Sequence, residues 1–154
     1  MTDITPNAVT AVVTTVNPTV VERAAERELF KAIKTRFDAT DIGANATGGL
    51  WYGSAPQGTD PPYVVMHEIS DTPEYTTTSK IELRRMQFSI YTDEKTPSTV
   101  KDLYGDMQDT FDDHKLTIAG YYTIRMWRDS GNLFREPETN YWRQIIDYMV
   151  EFHA

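Results

Sequence analysis

Residues 81–92 read IELRRMQFSIYT, and this stretch carries the clearest structural pattern in the chain. Apolar side chains recur at every second position, at Met86, Phe88 and Ile90, and polar side chains stand between them. A period of two predicts a β-strand with one face in the core and the other in water. The stretch therefore indicates a sheet that has one buried face and one solvated face.

Outward from this strand, the sequence predicts an amphipathic helix on each side. The first begins at Asn17-Pro18, because Asn is a good cap and Pro suits the first helical position. Its apolar residues recur at spacings of four: Val21, Ala25, Leu29, Ile33 and Phe37. The second begins at Pro97 with Thr96 as the predicted cap. It has the strongest helical signal of the chain: Val100, Leu103, Tyr104, Met107 and Phe111.

Further strands are predicted at residues 62–70, 116–128 and 141–152, with Asn132 and Pro137 in the connection between the last two. Residues 38–61 are punctuated by Gly and Pro, which predicts a long ordered loop with a short extended piece at Leu50-Trp51-Tyr52. The order is helix, strand, strand, helix, strand, strand. This order predicts an α+β fold, with an antiparallel or mixed β-sheet and two main α-helices packed on one face.

The 154 residues fit one ordinary domain, which we assign to residues 18–154. Residues 1–17 are rich in Thr, Val, Ala and Asn, and Asp3 is their one charged residue. We predict a flexible N-terminal arm there. The arm either stays unstructured or donates a strand to a partner's sheet edge.

Composition excludes several classes of site. The chain has no Cys, so disulfides, zinc–thiolate sites and thiol nucleophiles are excluded. It has neither a bilayer-spanning apolar run nor the pattern of a secretory signal, so we expect it to fold in the cytoplasm without a membrane partner. Its net charge is -8, and tight binding to DNA phosphates normally needs a clustered basic face.

No motif of the chain predicts catalysis. His67-Glu68 resembles the start of a metalloprotease motif, but the second His is missing and the pair falls in a predicted strand. Asp112-Asp113-His114 offers metal ligands, yet a His at the end of a helix also complements the helix dipole. Gly48-Gly49 lacks the Lys of a phosphate loop, and no nucleophile elbow surrounds Ser54. We expect no catalytic, cofactor or metal site, although a carboxylate pair formed only in space stays open as an alternative.

The sequence also predicts surfaces for protein contact. The strand arginines either pair with Asp and Glu on a solvated sheet face or subunit contact, or touch phosphate: Arg84, Arg85, Arg125, Arg128 and Arg143. The tryptophans are either core and interface anchors or stacking platforms: Trp51, Trp127 and Trp142.

The predicted connection from Asp71 to Lys80 is longer than the roughly 2–5 residues of an ordinary hairpin turn. Thr76-Thr77-Thr78 within it prefers extended backbone. We predict a hairpin that runs past the sheet and touches other proteins; the alternative is a mobile surface loop. The predicted interface residues are Tyr75, Thr76, Thr77, Thr78, Lys80, Trp51, Arg125 and Arg128.

Several segments, taken together, resemble the tail-completion family of long-tailed bacteriophages. The most specific is the run from Tyr52 to Gly58, YGSAPQG, followed shortly by PYVV at residues 62–65. Other segments follow in the order that the family has. They are EISDTP at 68–73, RMQFSIYT at 85–92, LTIAG at 116–120, RMWR at 125–128 and WRQIIDY at 142–148.

This resemblance implies the fold of the lambda-type tail terminators and a structural virion protein without catalytic activity. It implies a ring of six copies that caps the tail tube and joins it to the head-side connector. The implied partners are further copies of the chain, the major tail tube protein and the head-completion protein, with DNA passing through the bore without specific binding. One alternative is another neck component, such as a head-completion or connector-adaptor protein. A small hydrolase is the alternative from a different class.

Overall fold

The computed structural model describes residues 18–75, 80–118 and 121–153. The main elements follow the predicted order of helix, strand, strand, helix, strand, strand. After the first helix come a short helix, which was not predicted, and a short strand, which coincides with the extended piece predicted at Leu50-Trp51-Tyr52. In chain order they are α1 (Pro18–Asp38), α2 (Asp41–Asn45), β1 (Leu50–Tyr52), β2 (Tyr63–Tyr75), β3 (Lys80–Thr92), α3 (Ser98–Phe111), β4 (Tyr122–Arg135) and β5 (Trp142–His153).

The five strands form one sheet in the order β1-β2-β3-β5-β4. β1 runs parallel to β2, and every other neighbouring pair is antiparallel. In the centre of the sheet, Phe88 on β3 lies opposite Met66 on β2 and Ile146 on β5. The sheet is therefore mixed, and the predicted α+β fold class is confirmed.

The core lies between this sheet and the two main helices. Leu29, Ile33 and Phe37 of α1 belong to one buried cluster with the apolar stripe of α3 and the inward residues of the strands. At its centre the ring of Phe88 stacks on Phe111 at 5.6 Å and meets Tyr148 edge-on at 5.7 Å. These contacts fix α3 against β3 and β5. No helix in the described part of the chain is long and apolar enough to cross a bilayer.

The prediction of a ten-residue connection between β2 and β3 is wrong. Both strands continue, so that Asp71 pairs with Arg84 and Tyr75 pairs with Lys80. A register shift between Glu68 and Ser70 marks a β-bulge, which lets the pairing go on where the period of two is interrupted. Only residues 76–79, which lie outside the described residues, separate the strands. β5 accompanies β3 as far as Ile81, so the hairpin does not run past the sheet before that position.

The prediction for β4 is wrong at both ends. Leu116 and Ile118 are buried in the core, but the described residues 116–118 form no strand, and the chain there pairs with β4 through the isolated bridge between His114 and Met126. The strand then continues to Arg135 across a register shift that follows Arg128. Asn132 is therefore part of β4 and pairs with Ile145 instead of lying in the connection.

The predicted cap of α3 is also wrong. Pro97 is the residue at the cap position, and it makes no capping hydrogen bond from its side chain. Thr96 instead shares a hydrogen bond of 2.9 Å with the hydroxyl of Ser98. Thr99 donates a hydrogen bond of 2.6 Å to the Glu94 carboxylate, which ties the first turn to the preceding loop.

Candidate assembly surface

The two faces of the sheet differ in what covers them. Both main helices pack on the face that carries Met66, Phe88 and Ile146, so no described helix covers the opposite face. We call that opposite face the open face. The side chains of Gln87 and Tyr91 on the open face are half-buried, although no helix lies over them.

A row of stacked side chains crosses the open face from β2 to β4. The rings of Tyr63 and Tyr91 stack with centroids 5.0 Å apart. The guanidinium carbon of Arg143 lies 5.3 Å from the centre of the Tyr91 ring and 5.7 Å from that of Phe134. We call these four residues the aromatic ladder. Each of the four residues comes from a different strand, and the sheet register places them side by side.

The ladder is held in place by hydrogen bonds. Arg143 donates two of them, from Nε at 3.2 Å and Nη2 at 3.1 Å, to the Ser89 hydroxyl, and its Nη1 lies 3.1 Å from Glu136 Oε1. Burial is the main factor that raises the pKa of Tyr63 and Tyr91, so both phenols are uncharged near neutral pH. The ladder is therefore an apolar, stiff surface with one fixed cation.

A polar network occupies the next part of the open face. Arg85 Nη1 lies 2.7 Å from Asp129 Oδ2 and 3.4 Å from Asp147 Oδ2. Gln87 and Ser130 also donate hydrogen bonds to Asp147, at 3.1 and 3.3 Å. Arg85 thus pairs with acidic residues on the solvated sheet face, as one of the two sequence-based interpretations proposed.

Arg84 does not share that environment, although it is the neighbour of Arg85. It lies on the core face, is only 2% exposed, and pairs with Glu82 at 2.6 Å and Glu68 at 2.7 Å. The interpretation of all the strand arginines as surface residues is wrong for this one. Its position was detectable, because Glu82 and Arg84 share the parity of Met86.

The predicted interface residues do not form one patch. Trp51 is on β1 at one edge of the sheet, is 37% exposed and donates a hydrogen bond of 2.8 Å to the Gly48 carbonyl. Arg125 and Arg128 are on β4 at the other edge. Tyr75 and Lys80 are backbone partners at the end of the β2–β3 hairpin, and Thr76, Thr77 and Thr78 lie outside the described residues.

The two arginines on β4 have different contacts. The guanidinium of Arg125 lies over the ring of Trp127, at 4.5 Å from its centre. Arg128 is directed to the helix side, where it donates to the Tyr104 hydroxyl at 2.8 Å and lies 3.3 Å from Asp112 Oδ2. A Cβ at Gly131 would come within 2.5 Å of the same Tyr104 hydroxyl, so a larger residue there would displace the end of the Tyr104 side chain.

The motif YGSAPQG folds beside the open face. Its residues 53–58 and Thr59 line one side of a depression of about 420 Å³. Tyr63, Tyr91 and Tyr141 line the other side together with Glu136. Sequence reasoning did not single out these tyrosines as contact residues, since only the strand register reveals that they share a face.

The arrangement suits contact more than chemistry. No group of three or more His, Asp or Glu side chains that could hold a metal ion occurs among the described residues. Burial and the nearby charge of Arg36 lower the pKa of His114, and its backbone bonds to β4. The site offers broad, half-buried aromatic and charged surfaces, of the kind that proteins use to bind one another.

Comparisons with known proteins agree with this reading. The family model described as "Tail completion protein gp17" matches residues 31–152. No curated protein sequence matches the chain. A solved chain described as "Virion of native gene transfer agent (GTA) particle" has the same fold, with a TM-score of 0.73 and 17% identity over 84% of this chain and 98% of that chain. Since the family model spans most of the sequence, the chain belongs to the tail completion protein gp17 family and is a structural, non-enzymatic protein of the virion tail.

Proposed function

We propose that this chain forms a closed ring of six copies that caps the tail tube and joins it to the head-side connector. In this proposal residues 18–154 act as a single domain of the tail-terminator type. The observation that supports this proposal most is the open face, which carries a row of aromatic and guanidinium groups. The described helices pack only on the opposite face of the sheet.

The aromatic ladder has the properties of a protein-binding surface. Aromatic and Arg side chains are enriched at protein interfaces and supply much of their binding energy. Arg143 is already held by Ser89 and Glu136, so docking onto it loses little side-chain entropy. We assign this face to a contact with another virion protein.

The two sheet edges support a ring. β1 with Trp51 forms one edge and β4 with Arg125 and Arg128 forms the other, so a neighbour on each side meets different residues. Contacts of this head-to-tail kind close into rings when the rotation between copies allows it. We assign Trp51, Arg125 and Arg128 to lateral contacts between copies, and Tyr75 to Lys80 to a contact beyond the subunit.

The charge of the chain suits passage of DNA. Six copies of net charge -8 make an acidic assembly, which does not hold DNA phosphates tightly. We propose that DNA passes through the bore without specific binding. The major tail tube protein and the head-completion protein are the proposed partners at the two faces of the ring, which assembles in the host cytoplasm. Residues 1–17 are proposed to order, if at all, against a neighbouring protein.

The proposal is tested by removing the ladder while keeping the core. Tyr63→Ser combined with Phe134→Ser removes two half-buried rings from the open face. We expect the variant to fold and to fail in producing joined, infectious particles in a phage that lacks the natural gene. Ile69→Ser is the control, because it removes an apolar side chain that is 50% exposed and outside the ladder. Normal joining by the double variant would refute the assignment of the open face.

A further inference from the structure

A cluster of cations lies in a groove on the helix side of the molecule. The groove has a volume of about 480 Å³ and runs between α1 and the segment that links α3 to β4. Lys31, Arg36 and Lys115 line it together with His114, and Glu28 is the one carboxylate among the described residues of its lining. In a chain with 23 acidic residues against 15 Lys and Arg, such a grouping is an exception. We call it the basic groove.

Internal ion pairs neutralise little of this charge. Lys31 lies 3.5 Å from Glu28, but both side chains are partly exposed and such a pair is weak. Arg36 donates a hydrogen bond from its Nε to the Thr110 carbonyl, and its guanidinium has no ion pair with a carboxylate in the described part of the chain. Lys115 is exposed and has no ion pair with any described residue. The groove therefore presents positive charge to whatever docks there.

Carboxylates without a cation partner gather at a different place. The sheet register puts the start of β2, the ends of β3 and β4 and the start of β5 at one end of the sheet. The loops at that end carry four exposed carboxylates: Asp60, Asp93, Glu94 and Glu138. The exposed cations there are Lys95 in a loop and Arg135 at the end of β4. We call these four residues the acidic end.

We propose that the basic groove of one copy binds the acidic end of the next copy, a contact that rests on the proposed ring. Copies with a charge of -8 repel one another unless opposite charges meet locally at the contact. The groove supplies cations that have at most one weak ion pair among the described residues. The acidic end supplies carboxylates that pair with no described cation, and Glu94 among them accepts a hydrogen bond from Thr99. The two surfaces belong to different sides of the subunit, so the contact is head-to-tail and repeats around a ring.

The aspartates of α3 are a poorer match for the groove. Arg36 in the groove bonds to Thr110, and Thr110 also lines a second depression with Asp41, Asp106 and Asp109. These carboxylates thus adjoin the groove on the same helical layer. If the groove of one copy bound these carboxylates of another copy, the same helical layers of the two copies would have to face each other. Such a contact produces a two-fold dimer and not a ring.

A charge exchange tests the contact. Lys31→Glu with Lys115→Glu reverses the groove, and Asp93→Lys with Glu138→Lys reverses the acidic end; all four side chains are exposed. Each variant is supplied to a phage that lacks the natural gene, and infectious particles are counted. Each double variant should lower the titre by roughly tenfold or more, because like charges then meet at every contact. The chain carrying all four changes should recover most of the titre.

The control is Lys101→Glu, which makes the Lys→Glu change of a single groove substitution on an exposed residue of α3 outside the groove, and it should leave the titre near that of the wild type. Thermal unfolding of each variant separates loss of folding from loss of contact; if the groove variant unfolds, Lys115→Glu alone paired with Glu138→Lys replaces it. A normal titre for the groove variant overturns the proposal. Failure of the fourfold variant to recover also overturns it, since the groove then binds another protein or an anion.

The outcome is distinguishable from failure of the proposed function. If wild-type particles contain the ring and the charge variants also assemble normally, only the groove contact is wrong. If wild-type particles contain no ring, the proposed function is wrong and the charge contact has no place to act.

Discussion

Tyr148 on β5 donates a hydrogen bond of 2.7 Å from its hydroxyl to Oδ1 of Asp112, the C-cap residue that follows α3. The other carboxylate oxygen of Asp112 lies 3.3 Å from Arg128 on β4. One carboxylate therefore joins the end of α3 to the two strands at one side of the sheet. Burial, and after it the bond to Asp112, raises the pKa of Tyr148, so its hydroxyl remains a donor throughout the physiological range.

Replacing Tyr148 with Phe should destabilise the fold without changing it. The ring would keep its contacts with Phe88 and Phe111, but the bond to Asp112 and the weaker one to the Met107 carbonyl would be lost. We expect a loss of about 1–2 kcal/mol in the free energy of unfolding, measured by urea titration. Tyr141→Phe is the control, since Tyr141 is half-buried and its hydroxyl has no hydrogen bond with any residue that the structure describes. Equal losses in both variants would contradict the expected contribution of the Tyr148 hydroxyl.

Arg84 and Arg85 make a matched pair on opposite faces of β3. Arg84→Met leaves the buried carboxylate of Glu82 and the nearby Glu68 without their guanidinium partner, which should cost about 3–5 kcal/mol. Arg85→Met breaks partly exposed pairs on the open face and should cost about 1 kcal/mol or less. Calorimetry measures the free energy of unfolding of each variant. A larger loss of stability in Arg85→Met than in Arg84→Met would show that the assignment of the two side chains to faces of the sheet is wrong.

Elements with an uninterrupted period are predictable from this sequence, and bulged elements are not. Residues 81–92 alternate cleanly and form β3 as expected, apart from one added residue at its start. β2 and β4 each contain register shifts, which insert residues that break the period of two. In β4 the residues DSG at 129–131 look like a turn, yet the pairing continues through them to Arg135. Local sequence could not show this, because the pairing partner on β5 holds the strand extended.

Acidification should weaken the fold through His114. Burial, with the charge of Arg36, lowers its pKa below the ordinary value of 6.5, so the unfolded chain binds this proton more readily than the folded one. Stability is therefore present above about pH 6.5 and is lost as pH falls below it. Relative to His114→Gln, the wild type should lose more stability between about pH 7.5 and about pH 5. Parallel losses in the two proteins would mean that His114 does not contribute.

The β2–β3 hairpin provides a test of contact beyond the subunit. Glu74 pairs with Ile81, so an Asn-Gly turn inserted directly between these two residues closes a normal hairpin and deletes residues 75–80. We expect the shortened chain to unfold at nearly the same temperature as the wild type, since it keeps the rest of the sheet. Joining of tails to heads should fail, as counted by electron microscopy of lysates. Efficient joining would leave the segment as an ordinary surface turn.

The candidate surface was only partly predictable. Arg85 and Arg143 are recognisable as strand arginines, but the ladder that includes Arg143 depends on Tyr63 and Phe134, which are distant in sequence and meet only through the sheet register. The tryptophan and arginines chosen from sequence lie at opposite sheet edges, because single-residue properties carry no information on strand order. The aromatic composition indicated a candidate contact surface, and the sheet register shows which aromatic residues share one face.

Electron cryo-microscopy of intact particles would show the position and the copy number of the chain. We expect a closed ring of six copies between the end of the tail tube and the head-side connector, with the aromatic ladder of each copy covered by another virion protein. A single copy, an open spiral, or a position away from the tube end would contradict this expectation.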